Sequence, residues 1–144
     1  MGIRRISREI ALQLLYAQEA TNDPLKTVIE AFQEAGFRKE TGESGEVPDF
    51  SKALLGSSKA NQDHIDGMIR SVLEHWQLER VSRIDRAILR LACAEMMFHD
   101  DIPPKVTINE YIEIAKRFGD KDSPSFVNGV LDAIARKMDK IPKP

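Results

Sequence analysis

The chain has 144 residues, 42% hydrophobic and 31% charged, with a formal charge of −2 at pH 7 and one cysteine. That length fits a single domain, 1–144, able to bury roughly 70% of the surface its unfolded chain exposes. No apolar run reaches the ~18 residues of a membrane span, no uninterrupted apolar region follows the charged start, a lone Cys93 rules out an intramolecular disulfide or a cysteine zinc cluster, and the acidic balance argues against a general coat for duplex nucleic acid. A cytoplasmic protein is expected, and any nucleic-acid site must be local.

In chain order, Ile3, Ile6, Ile10 and Leu14 recur at helical spacing, with Ala11, Leu15 and Ala17 widening the stripe, so the first helix should turn this face to the core. Asp23-Pro24 reads as an N-cap with proline in the first helical position, ahead of Leu25, Val28, Ile29 and Phe32, and Gly36 stops that helix. The stretch 38–48 holds two glycines, a proline and no period, which marks a surface loop. A long helical region follows, with a break expected at Gly56-Ser57-Ser58, an apolar face of Ile65, Met68, Ile69, Val72 and Leu73, and an end near Trp76. Ser82 with Asp85 three residues on is a variant capping box before Ile84, Ala87, Ile88, Leu91 and Ala92. Asp100-Asp101 and Pro103-Pro104 end that helix. Thr107-Ile108-Asn109-Glu110 is a full capping box, with Val106 and Tyr111 placed as a hydrophobic staple, and predicts a helix start at that point. Gly119 closes it, and Ser123-Pro124 opens a last helix through Val127, Val130, Leu131, Ile134 and Met138. No segment alternates long enough for a strand, so the fold class is all-α, with about six or seven helices.

Catalytic signatures are absent: no phosphate loop, no dinucleotide fingerprint, no His-Glu-x-x-His and no Gly-x-Ser-x-Gly. His64 and His75 lie too far apart along one helix to share a metal, and His99-Asp100-Asp101 reads as a solvated helix end, so no metal or cofactor is expected. Cys93 has no cation at helical spacing to lower its pKa and reads as a small packed residue. Glu95 projects into the apolar face made by Leu91, Ala92 and Phe98, and is expected to be buried and paired with a basic group.

Charge placement is the informative feature. Arg4, Arg5 and Arg8 project opposite the Ile6 and Ile10 stripe, where they should meet solvent together. Arg83, Arg86 and Arg90 line one side of the Ser82 helix, and Lys116, Arg117 and Lys121 surround Gly119. Each set fits either an ordinary solvated face, with internal ion pairs an option for the Ser82 helix, or phosphate binding by cations. Phe126 lies on the flank of the last helix's apolar stripe, where it can close the core's edge or offer its ring to a base.

These segments resemble a known family. Arg4-Arg5-Ile6-Ser7-Arg8 with Ala11 to Tyr16, Ile84 to Ala92, Val106-Thr107-Ile108-Asn109-Glu110, Ala115-Lys116-Arg117-Phe118-Gly119 and Phe126-Val127-Asn128-Gly129-Val130-Leu131-Asp132 are similar, in order and spacing, to the NusB family. The likeness covers 3–19 and about 76–135. Ala94 stands where that family often has tyrosine, Tyr111 where it often has alanine, and 38–48 has no counterpart. The resemblance implies two packed three-helix bundles and a transcription antitermination factor that is not an enzyme. It implies binding of the single-stranded boxA RNA of ribosomal RNA leaders together with the ribosomal protein NusE, inside an RNA polymerase complex with other Nus factors. It further implies that Arg4, Arg5, Arg8, Arg90 and Phe126 contact RNA with Asp122 beside them, and that Tyr16 and Asp85 contact the protein partner; charge placement adds Lys116, Arg117 and Lys121 to the expected RNA-binding residues. Pairing into a homodimer stays open. Two other functions remain at this level: the RNA-binding domain of a ribosomal RNA cytosine methyltransferase, which would need a cofactor-binding domain and a longer chain, and a purely structural helical module.

Overall fold

A computed structural model describes residues 2–36, 45–75 and 77–141, and every regular element among them is helical. Among the described residues seven α-helices run α1 (Ile3–Thr21), α2 (Leu25–Glu34), α3 (Asp49–Ala60), α4 (Gln62–Val72), α5 (Arg83–Phe98), α6 (Pro104–Phe118) and α7 (Ser123–Lys137), with a 3-10 turn at Leu78–Arg80. The all-α class is as the sequence predicts. The chain divides into two compact units, Met1–Gly56 and Ser57–Pro144.

In the first unit α1 has no glycine or proline to interrupt it and ends where Asn22 takes a left-handed conformation and donates its N–H to the Gln18 carbonyl at 2.7 Å. From Ser7 to Leu15 the helix is buried around almost its whole circumference, Ser7, Arg8 and Glu9 included, instead of along one stripe. Ile3, expected in the core, is 65% exposed. A helix enclosed in this way loses the amphipathic periodicity that a surface helix shows. The Ser51 hydroxyl at the start of α3 donates to the Ser7 carbonyl at 2.6 Å, and Val47 N–H donates to Gln33 Oε1 at 3.0 Å, which ties the chain entering α3 back to α1 and α2. Pro24 occupies the N-cap of α2, one residue later than the Asp23 cap expected. The 38–48 loop falls mostly outside the described residues, as does Trp76.

In the second unit α6 and α7 pack along each other, α5 packs on both, and α4 rests on α5 and α7. Here α5 is the enclosed helix, buried from Ala87 to Met96. Its N-cap forms as predicted, Ser82 Oγ accepting the Asp85 N–H at 3.2 Å. The break before α4 falls at Asn61 and not at Gly56, through which α3 runs unbroken; Asn61 Nδ2 donates to the Ser57 carbonyl at 2.9 Å. α4 ends at Val72, short of Trp76.

The start of α6 corrects the capping-box expectation. The helix begins at Pro104 with Pro103 as N-cap, a full turn before Thr107. Proline costs nothing at a first-turn position, where the N–H has no acceptor in any case. Thr107 is therefore inside the helix, fully buried, and its hydroxyl donates to the Glu95 carboxylate on α5. Val106 is 45% exposed and Tyr111 fully buried, so they make no staple. Glu95 is buried as expected, and one of its partners is this neutral hydroxyl.

Candidate nucleic-acid interface

The first unit carries the amino-terminal arginines on the first two turns of α1. Arg4 is exposed, Arg5 half-buried and Arg8 only 2% exposed, so the three do not form one solvent-facing row. An aromatic ring that the sequence reading passed over organises them. The guanidinium of Arg4 lies 4.7 Å from the centroid of Phe50 on α3, and that of Arg8 lies 5.3 Å from it. Both distances are within cation–π range, which fixes long side chains without consuming their N–H donors. Phe50, just after Val47-Pro48-Asp49 at a helix start, was the only signal, and aromatic residues at such positions are too common to single out. Tyr16 lies further along α1 and is 38% exposed.

In the second unit the arginines of α5 separate by depth. Arg83 is exposed and Arg86 half-buried, while Arg90 is 9% exposed and held by Asp66 of α4. Arg90 Nε meets Asp66 Oδ1 at 2.8 Å and its terminal nitrogen meets Oδ2 at 3.0 Å, a two-pronged pair. The guanidinium edge that would grip a phosphate is engaged, which places Arg90 as a brace between α4 and α5.

The third cluster surrounds the α6–α7 junction. Gly119 follows α6, and a Cβ there would overlap the Ser123 side chain and touch the Ala115 carbonyl at 3.0 Å. The buried Ser123 hydroxyl accepts the Asp120 N–H at 3.0 Å, and Asp120 Oδ1 accepts N–H groups from Asp122 at 2.8 Å and Ser123 at 3.1 Å. This tight turn presents Lys116, Arg117, Lys121 and Asp122 to solvent. Lys116 pairs with Glu113 at 2.9 Å, and the Arg117 guanidinium lies 5.2 Å from the Phe118 ring centroid. Phe126, half-exposed in the first turns of α7, flanks the buried Val127, Val130 and Leu131 as the helix projection indicates.

Between the starts of α5 and α7 opens a pocket of about 280 Å³, lined by Arg80, Ser82 and Asp85 on one side and by Asp120, Asp122 and Phe126 on the other. Asp85 is 7% exposed, and its Oδ1 is buried with no hydrogen-bond partner. Elsewhere, His99 Nε2 lies 3.2 Å from Ser57 Oγ, and no cluster of His, Cys, Asp or Glu among the described residues could hold a metal. No described helix is long and apolar enough to cross a membrane.

The NusB family profile matches residues 5–136. The transcription antitermination protein NusB of Trichlorobacter lovleyi is 46% identical over 134 residues, covering 93% of this chain and 91% of its own length. Among solved structures, T. maritima NusB aligns with a TM-score of 0.77 at 35% identity, over 97% of this chain and 96% of that one. A chain from the complex of antitermination factors NusB and NusE with double-stranded RNA aligns with a TM-score of 0.76, covering 95% and 98% of the two chains; at 23% identity it shows a shared fold.

Proposed function

The chain belongs to the NusB family, and on that basis we propose that it is a transcription antitermination factor whose two units act as one RNA-binding domain. It binds the single-stranded boxA RNA of ribosomal RNA leaders together with ribosomal protein NusE, in the cytoplasm, and helps RNA polymerase and the other Nus factors read through terminators. It works by binding, with no catalytic step of its own, and pairing into a homodimer is left open by this reading. The observation that carries this reading is the match to a protein of that name at 46% identity over more than nine-tenths of the length of both chains. The existence of a relative's fold in complex with NusE and RNA supports the same partners here.

The physical layout divides the labour among the residues. Exposed Arg4, Arg117 and Lys121, with Arg5 and Lys116, hold phosphates, while Phe126 supplies a stacking face for an unpaired base. Arg8 and Arg90 each brace their own unit from the interior, through Phe50 and Asp66 respectively. Tyr16 is exposed enough to meet NusE; Asp85 sits recessed and offers a protein only a narrow contact. Titration of boxA and scrambled RNA by the wild type and by the double variant Arg4→Ala, Arg5→Ala tests the reading. Wild type should prefer boxA, and the double variant should bind both RNAs more weakly with a log–log salt slope smaller by about 1.4, since each single-strand phosphate contact contributes about 0.7. Equal binding of the two RNAs by the wild type, with NusE present, would refute antitermination through boxA.

A further inference from the structure

The pocket between α5 and α7 combines two features that no phosphate-binding surface needs. Its interior holds the Asp85 carboxylate, more than nine-tenths buried, with Oδ1 lacking any hydrogen-bond donor. A buried acceptor without a donor is costly, and a carboxylate can only accept. The half-exposed ring of Phe126 lines the pocket too, together with the exposed Arg80. Asp120, although it lines the same pocket, spends Oδ1 on its own turn, so the unsatisfied acceptor is Asp85.

The volume of about 280 Å³ admits a ring system and not merely an ion. The carboxylates of Asp85, Asp120 and Asp122 repel a phosphate, whereas Arg80, exposed at the surface, attracts one. A nucleotide would therefore enter base first. Among the four RNA bases, only guanine places two donors side by side on one edge, N1–H and the N2 amino group, matching the two oxygens of a carboxylate. Adenine, cytosine and uracil each offer a single donor position with an acceptor beside it.

Resting on the RNA-binding reading above, we propose that this pocket is a guanine subsite, in which the base stacks on Phe126 and its N1–H and N2–H donors meet the Asp85 carboxylate. Asp85 is then a specificity-determining residue for RNA, and the base supplies a donor to a carboxylate whose Oδ1 has none. The cationic side chain of a protein partner is the rival occupant. It would satisfy the charge of Asp85 but gives no account of the aromatic wall.

The test uses the full chain and fluorescent oligouridylates of about 12 nucleotides, carrying at the centre guanosine, inosine, adenosine or no replacement. Wild type should favour the guanosine oligomer over plain oligouridylate by about tenfold or more, the size of a good two-pronged base contact. Inosine, which lacks the N2 amino group, should lose most of that preference, and in Asp85→Asn the ratio of guanosine to plain oligomer should fall towards one. Binding of all four oligomers without a guanosine preference, or a preference that survives Asp85→Asn, overturns the subsite while leaving RNA binding in place; failure to bind any oligomer removes both. Loss of NusE binding by Asp85→Asn, with the guanosine preference intact, assigns the pocket to a protein cation instead. Should Asp85→Asn fail to fold, the comparison of guanosine with inosine on the wild type decides alone.

Discussion

Cys93 shows how a residue's surroundings settle its chemistry. It lies fully buried in α5, its Sγ 3.4 Å from Met97 Sδ. Burial, with the negative charge of Asp66 as a smaller contribution, pushes its thiol up from 9.0 to about 12. The thiolate is the reactive form, so this sulfur packs and does not attack. A raised pKa of this kind favours the folded state wherever the thiol keeps its proton. Its contribution is whole below pH 9.0 and is lost as pH climbs from 9.0 towards about 12, because the unfolded chain ionises first. Urea denaturation at pH 8 and above pH 10 should therefore show a steeper fall in stability for the wild type than for Cys93→Ala; equal falls would refute the shift. The packed role of Cys93 was legible in the sequence from its apolar neighbours. The depth of Arg8 and Arg90 was not, because helical projection gives the direction of a side chain but not whether a second element lies over it. Asp66 and Phe50, which bind these arginines, are 24 and 42 residues away from them in the chain, counting Arg90 to Asp66 and Arg8 to Phe50.

At the scale of elements, the α6–α7 junction controls the third basic cluster. Gly119 is required by space and not by backbone angle: its φ of −92° suits any residue, but the Ser123 side chain occupies the place of a Cβ. Ser123 is 1% exposed and its hydroxyl is engaged with the Asp120 N–H, so it has little room to withdraw. Gly119→Ala should cost about 1–3 kcal/mol, the range for overpacking a filled site. If the turn shifts to relieve the clash, RNA affinity should fall as well, since Lys121, Asp122 and Phe126 hang from it. A thermal melt and an RNA titration on the same variant check both, and an unchanged melting temperature would refute the crowding. Gly119 and Ser123-Pro124 were readable as stop and start signals, and the structure ends α6 at Phe118, just before Gly119, and begins α7 at Ser123. The front of α6 was misread because Thr107 satisfies two descriptions. It fits a cap by spacing, but the buried Glu95 needs a donor, and that tertiary demand, invisible in a local window, claims the hydroxyl. Pro103-Pro104, read as the end of one helix, opens the next.

Across the whole molecule, a net charge of −2 sets the terms of binding. Some of the cations on the proposed surface already have internal partners: Lys116 pairs with Glu113, and Arg117 stacks on Phe118. Exposed pairs of this sort contribute little to stability, yet they reduce the charge available to RNA. The chain alone should then bind RNA weakly and gain affinity once NusE completes the surface. Binding linkage requires the gain to be mutual: NusE must raise RNA affinity by the same factor by which RNA raises NusE affinity, about 5- to 150-fold for couplings of ordinary size. Tyr16, 38% exposed on α1, separates the two contributions. Tyr16→Asp puts a desolvated charge into the proposed protein contact and should weaken NusE binding at least tenfold, about 1.4 kcal/mol or more. RNA binding by the free protein should stay as it was, so that NusE at a fixed concentration below saturation no longer strengthens it. The four affinities, each ligand with and without the other, are measurable by calorimetry on one preparation, and unequal factors in the two directions or an RNA affinity indifferent to NusE would exclude cooperative assembly.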